Sequence, residues 1–228
     1  MNTFKKLALS LLLAMPMVGS AAGMGIYIPV SVGDSMSTTN DWDGYTRDLG
    51  LKPAVGFGLA FDSNIGKDKL FNYRLGLEYM SIGVDTVNGN TYTGDTEFLR
   101  YNMVHTFGFG VLRKKAVRLW VGPRINIAYN QYDNPNTNSF YTESNLEFGI
   151  APALGVNVNL GRVVSLAFDL DYRFAYLQVG WDNTLFDDTY SGLTTGATAR
   201  FSVLFRFGEE FQKQAPQAAD QGVVDQSL

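Results

Sequence analysis

Residues 164–176 alternate without interruption between apolar and polar side chains. Val164, Leu166, Phe168, Leu170, Tyr172, Phe174 and Tyr176 fall on one face, and Ser165, Ala167, Asp169, Asp171, Arg173 and Ala175 on the other. A period of two is that of a β-strand. The apolar face is continuous and aromatic, and all the charge lies on the opposite face. The pattern recurs eight times along the chain. Strands that carry an apolar belt outside and a polar lumen inside are the signature of a transmembrane β-barrel. The expected fold is all-β, an eight-stranded antiparallel up-and-down barrel in a membrane.

The eight strands are expected at about 24–32, 54–61, 71–83, 98–112, 117–129, 146–160, 164–176 and 192–207. The long connections are 33–53, 84–97, 130–145 and 177–191, and the short ones are 62–70, 113–116 and 161–163. Bacterial barrels of this kind have short periplasmic turns and longer extracellular loops, so the long connections are placed outside the cell. Acidic residues, Asp34 among them, crowd the long connections, whereas Lys67, Lys69, Arg113, Lys114, Lys115 and Arg162 outnumber Asp62 and Asp68 in the short ones. Tyr79, Tyr101, Tyr129, Tyr172 and Tyr176 gather toward the loop end, and Phe61, Phe71, Phe109, Phe205 and Phe207 toward the turn end. Two aromatic girdles at two interfaces account for that sorting. Pro29, Pro123 and Pro152 each remove a ladder donor, which leads us to expect bulges or local openings there, with Pro123 and Pro152 forming a shared weak spot on neighbouring strands.

Residues 1–22 read as a cleaved export signal: Lys5 and Lys6, an apolar run from Leu7 to Met17, then small residues at Gly19, Ser20, Ala21 and Ala22. The barrel is assigned to 23–207 and a polar, disordered periplasmic tail to 208–228. The chain holds 18 basic and 22 acidic residues; without Lys5 and Lys6 its formal charge goes from −4 to −6. That balance argues against a nucleic-acid partner. With no cysteine, thiolate chemistry and disulfides are excluded.

In this arrangement the chain resembles the eight-stranded outer-membrane barrels of the OmpA/OmpX type, over about 23–207. The end of the last strand, with Phe201, Phe205 and Phe207, resembles the aromatic-terminated signal read by the barrel-assembly machinery. Here 21 residues follow Phe207, too few for a peptidoglycan-binding domain. The resemblance implies fold, export route and the outer membrane of a Gram-negative bacterium, with lipid and lipopolysaccharide as surroundings.

Three features bear on function. First, Arg74, Arg100, Arg118, Arg124, Arg173, Arg200 and Arg206 are expected in the lumen with Glu78, Glu147, Asp169 and Asp171. An eight-stranded barrel is just wide enough for side chains to fill, and guanidinium forks pair well with carboxylates. The expected result is a salt-bridge plug. The alternative is a narrow anion-leaning path, with inward glycines at 56, 58, 76, 108, 110, 122, 149 and 155 leaving room. Strand one brings no charge, so its side of the lumen is expected to be the emptier.

Second, His105 is the single histidine. Alternation points it outward between Met103 and Phe107. Lipid A deacylases of this size are similar in placing His and Ser two residues apart on the outer wall, but Phe107 stands at that position here. Palmitoyl-transferring barrels keep their catalytic groups near the extracellular end, whereas His105 lies mid-strand. No catalytic set, metal site or cofactor is expected.

Third, Trp42, Tyr45, Phe140, Tyr141 and Trp181 stand among polar loop residues and resemble a binding rim for an extracellular ligand. The expected function is non-enzymatic, a structural or surface-interaction role through four extracellular loops. A small pore and a lipid-modifying enzyme are the alternatives.

Overall fold

The computed structural model describes residues 23–40, 46–63, 70–91, 97–114, 116–133, 143–161, 163–181 and 189–206. The export signal, the tail and the tips of the long connections lie outside the described residues. The described chain is almost wholly extended. Its strands are β1 (Gly23–Asn40), β2 (Thr46–Leu51), β3 (Ala54–Asp62), β4 (Phe71–Val87), β5 (Asn90–Thr91), β6 (Glu97–Arg113), β7 (Val117–Asp133), β8 (Glu143–Leu160), β9 (Val164–Trp181) and β10 (Thr189–Arg206). All pairings are antiparallel between neighbours, and β10 returns to pair with β1 along nearly its whole length. β2 and β3 form one stave, interrupted at Lys52 and Pro53, because both pair with β1 on one side and β4 on the other. β5 only folds back on the end of β4. The result is an eight-stave, closed up-and-down barrel. Closure removes sheet edges, which suits a wall whose backbone cannot reach water.

The strands outrun their expected lengths. Most of 33–53, expected as a loop, is strand, with β1 and β2 pairing from Ser35–Gly50 to Thr39–Thr46. β4 continues to Val87 and turns through Asn88 and Gly89, both at positive φ (50° and 76°). Two such residues in succession make the primed two-residue turn that matches strand twist.

Side-chain direction explains the outer and inner surfaces. Ile28, Phe148, Ile150 and Phe174 point outward and are about half or more exposed, while their sequence neighbours are buried. One break in this alternation changes the interior. Gly33 adopts φ 65°, and the β1–β10 register shifts by one residue between Val32 and Ser35. Below the bulge the buried residues of β1 are Gly23, Gly25, Tyr27, Pro29 and Ser31; above it they are Asp34, Met36 and Thr38. Adjacent β3 and β2 switch in step across Lys52 and Pro53, with Ala54 buried below and Leu51 and Leu49 above.

Of the two outcomes expected at the prolines, bulges or local openings, the structure shows openings. The register shifts fall at Val32/Ser35, Gly50/Leu51 and Gly110/Leu112. At Pro29, Pro123 and Pro152 the register is kept and the pairing is skipped on one side, giving local openings. A proline has nothing to donate, so the strand facing its nitrogen loses a partner without gaining a residue.

If the outward face meets hydrocarbon, Ile28→Arg should cost about 2–4 kcal/mol near the bilayer midplane. Urea unfolding in lipid vesicles measures this; a cost below about 1 kcal/mol, the range of the interfaces, would place Ile28 outside the hydrocarbon.

Candidate functional site: the interior of the barrel

The middle of the lumen is occupied by one connected set of charges. Arg74 reaches Asp62 at 2.9 Å and Asp169 at 3.2 Å. Arg124 meets Asp169 at 2.7 Å and also binds Asp171. Arg200 binds Asp171 and Glu78 and lies 3.8 Å from Asp169. Neutral side chains take up further donors and acceptors. Thr106 accepts from Arg124 Nε at 2.9 Å, Asn102 donates to Glu78 at 2.8 Å, and Asn72 donates to Asp62 at 3.2 Å.

A second cluster lies toward the loop end. Glu147 takes Arg100 at 2.9 Å and Arg173 at 3.0 Å. Asp34 lies 3.5 Å from each of the same two guanidinium groups. Asn130 accepts from Arg100 Nε at 2.8 Å. All these charged side chains are buried, at 7% exposure or less.

Every stave contributes: Asp34 from β1, Asp62 from β3, Arg74 and Glu78 from β4, Arg100 from β6, Arg124 from β7, Glu147 from β8, Asp169, Asp171 and Arg173 from β9, and Arg200 from β10. Period-two alternation delivers all of them directly except Asp34. That residue needs the Gly33 bulge to turn inward, and Gly196 opposite leaves the space: a Cβ there would collide with the Asp34 carboxylate.

Three sequence expectations are corrected here. Asp34 belongs to the lumen and not to an acidic loop, and Asp62 to the lumen and not to a turn. The side of β1 is not empty, since it supplies Asp34 and Tyr27, both buried. The charge count also changes. Arg118 and Arg206, also buried, lie toward the turn end, where they donate to the backbone carbonyls of Leu70 and of Gly161 and Val164. The network proper then holds five arginines and six carboxylates. With Arg118 and Arg206 the lumen holds seven arginines against six carboxylates, so the expected excess of three cations falls to one.

The inward glycines do not line a water path either. A Cβ on Gly58 or Gly76 would collide with the Tyr27 ring or its hydroxyl, and one on Gly155 with the indole of Trp120. These glycines make room for two large rings that pack over neighbouring strands inside the lumen. Among Tyr27, Arg74, Gly76, Val104, Thr106, Arg124, Arg200 and Ser202 remains a cavity of about 10 Å³, the room of a single water.

Beside the second charge cluster and toward the loop end lies an apolar patch: Met80 is paired opposite Arg100 and Leu177 opposite Glu147. Met36, Leu49, Leu51, Ala54, Met80, Ile82, Val84, Phe98 and Leu177 pack as one buried cluster. The sequence reading missed it because it expected a polar interior: Ala54, Met80, Ile82 and Phe98 fell inside its strands, and Met36, Leu49, Leu51, Val84 and Leu177 beyond them. The available signal was Met80, Ile82 and Val84 continuing the inward parity of Arg74 and Glu78.

The remaining candidates disperse. Phe201 and Phe205 point outward at 50% exposure each, opposite Ile28 and Met24 of β1; Phe207 lies outside the described residues. Of the loop rim, Trp42, Tyr45, Phe140 and Tyr141 lie outside them too. Trp181 closes β9 opposite Glu143, and its side chain is not described. His105 is on the outer wall, where its Nδ1 and the Tyr73 hydroxyl share a hydrogen bond of 2.7 Å. Among the described residues no group of three or more His, Cys, Asp or Glu could hold a metal ion.

Compared with solved structures, the barrel is similar to the outer membrane protein OprG of Pseudomonas aeruginosa. The identity is 14% and the TM-score 0.58, over 83% of this chain and 98% of that one. The chain has the fold of the eight-stranded outer-membrane barrels. A major outer membrane protein of Thermus thermophilus matches at 12% identity and TM-score 0.46, over 81% of this chain and 99% of its own. Ail, the attachment invasion locus protein of Yersinia pestis, matches at 15% and 0.37, over 79% and 99%. No protein-family model and no curated protein sequence matches the chain.

Breaking one buried pair leaves an uncompensated charge. Asp171→Ala or Arg200→Met alone should therefore cost about 3–5 kcal/mol, and the double variant less than their sum. A double-mutant cycle by urea unfolding in vesicles reads the coupling; a value near zero would mean that the pair carries no net interaction.

Proposed function

We propose that this chain is an outer-membrane barrel with a structural and surface-interaction role, and neither a pore nor an enzyme. The observation that supports this reading is the interior. Charges from all eight staves meet across it, two aromatic rings pack inside it, and an apolar cluster lies beside the charges toward the loop end. A buried network of this kind opens only if several charge pairs separate together, and each separation strands charge away from water. Rigid staves then serve as a frame, and the parts free to meet a partner are the connections at the long end. Trp42, Tyr45, Phe140, Tyr141 and Trp181 belong to those connections and are the proposed contact residues for an extracellular ligand or for lipopolysaccharide. Exported by a cleaved signal, the chain would be inserted by the barrel-assembly machinery through the aromatic end of β10.

The non-enzymatic part of the reading rests on the surroundings of His105. Its neighbour across β4–β6 is Leu75, across β6–β7 Ile125, and its hydrogen-bond partner is a tyrosine. The hydroxyl bonded to it is a tyrosine's, not the serine of the deacylase pattern.

Planar-bilayer recording tests the proposal. The unmodified protein should give no steady single-channel steps, while Glu78→Ala with Asp171→Ala, which leaves Arg200 only Asp169 at 3.8 Å, should give fluctuating ones. Steady anion-selective steps in the unmodified protein would replace this reading with the pore. Lipid A mass spectra from cells with and without the protein should be identical; a change in acylation would establish an enzyme.

A further inference from the structure

The outer wall carries a groove of about 960 Å³ over β7, β8 and β9. Pro123 and Pro152 form its floor, directly opposite one another. Val121, Ile150, Leu154, Leu170, Tyr172 and Phe174 form its sides.

The ladders explain why it is there. β7 and β8 pair without interruption from Val117–Val158 to Gln131–Ser144. Pairing of β6 to β7 stops at Thr106–Arg124 and resumes at Phe109–Val121. Pairing of β8 to β9 stops at Ile150–Phe174 and resumes at Ala153–Asp171. In an antiparallel sheet the N–H and C=O of one residue point to the same neighbour. The two proline nitrogens therefore point away from each other, one to β6 and one to β9. Their shared ladder survives while both flanking seams open. Each ring is short and flat beside the branched and aromatic residues around it, so the wall is hollowed between them.

We infer that this groove is a seat for one acyl chain of a membrane lipid. The inference rests on the proposed placement in a membrane. The groove is continuous with the outward apolar belt: Ile150 and Phe174 at its edge are more than half exposed. What faces that belt in a bilayer is hydrocarbon. Five residues of β8 run along it and three strands cross it, about 17 Å by 10 Å, an elongated shape suited to a chain lying along the strands. Apart from the Tyr172 hydroxyl and Asp171, which is buried on the lumen side, the lining is Leu, Ile, Val, Phe, Pro, Ala and Gly, so a headgroup gains little there.

Native mass spectrometry of the full mature chain, freed from detergent with palmitoyl-oleoyl-phosphatidylethanolamine added, tests the seat. The unmodified barrel should retain one lipid. Pro123→Phe and Pro152→Phe fill the floor and restore a backbone donor; each should lower that occupancy at least tenfold. Leu170→Ala, which removes a side wall, should lower it without adding bulk. Val55→Phe, a like change on the opposite wall, should leave it unaltered. Equal occupancy in all variants, or no one-to-one adduct in the unmodified barrel, would overturn the seat. A lipid-free dimer lost in the groove variants would also overturn it and make a second copy the occupant. Insertion into vesicles, read by heat-modifiable mobility, separates the two proposals. An inserted barrel with no bound lipid removes only the seat, whereas failure to insert removes the membrane reading and the seat with it.

Discussion

Backbone hydrogen bonding without recourse to water governs this structure. A sheet in hydrocarbon has to pair every N–H and C=O internally, and the simplest sheet that does so is one closed on itself. Closure of β10 onto β1 follows from this demand. With eight staves it also sets the width of the interior, which is narrow enough for facing side chains to touch. The contents of the lumen are thus a consequence of how the wall satisfies its backbone. Where the wall departs from full pairing, at Pro29, Pro123 and Pro152, it keeps its register.

Burying charge is costly, and this interior meets the cost by sharing. Asp169 serves Arg74, Arg124 and Arg200, and Asp171 serves Arg124 and Arg200. Arginine suits the role because its planar fork meets two acceptors at once. The strands contain arginine at these inward sites and no lysine; a single ammonium would reach fewer carboxylates in so confined a space. The shared arrangement also fixes stave against stave, since Arg74 on β4 and Asp169 on β9 lie far apart around the wall and meet only across it.

Period two made the staves legible, and the polarity of one face against the other separated outside from inside. Arg74, Glu78, Arg100, Arg124, Glu147, Asp169, Asp171, Arg173 and Arg200 could all be placed by that rule. It fails where the parity changes. Asp34 reads as a loop residue because nothing in strict alternation announces that Gly33 adds a step. Asp62 reads as a turn residue because a charge at a strand end looks like the turn that follows. The apolar cluster of Met80, Ile82, Val84 and Phe98 escaped for a different reason. The rule assumes a polar interior throughout, and near the loop end packing against Met36, Leu49 and Leu51 replaces ion pairing. The tyrosine and tryptophan at the centre of the lumen were hidden behind glycines on other strands, since the space a glycine leaves is visible only once its neighbours are known.

The residue count between Gly33 and Asp34 also sets what this chain tolerates as it diverges. Below the bulge, β1 is read in one phase by β10 and β3; above it, the hairpin of β1 and β2 is read in the other. The outer hairpin is in effect a separately framed unit joined to the lower barrel at one glycine on one stave and at Lys52 and Pro53 on the next. Insertions or deletions above that line preserve the frame when they come as a matched pair on β1 and β2, lengthening or trimming the hairpin as a whole. A single residue gained or lost below it moves Tyr27 to the outside and Ile28 to the inside. Length variation in this region should therefore collect above residue 33 and be nearly absent between 23 and 32.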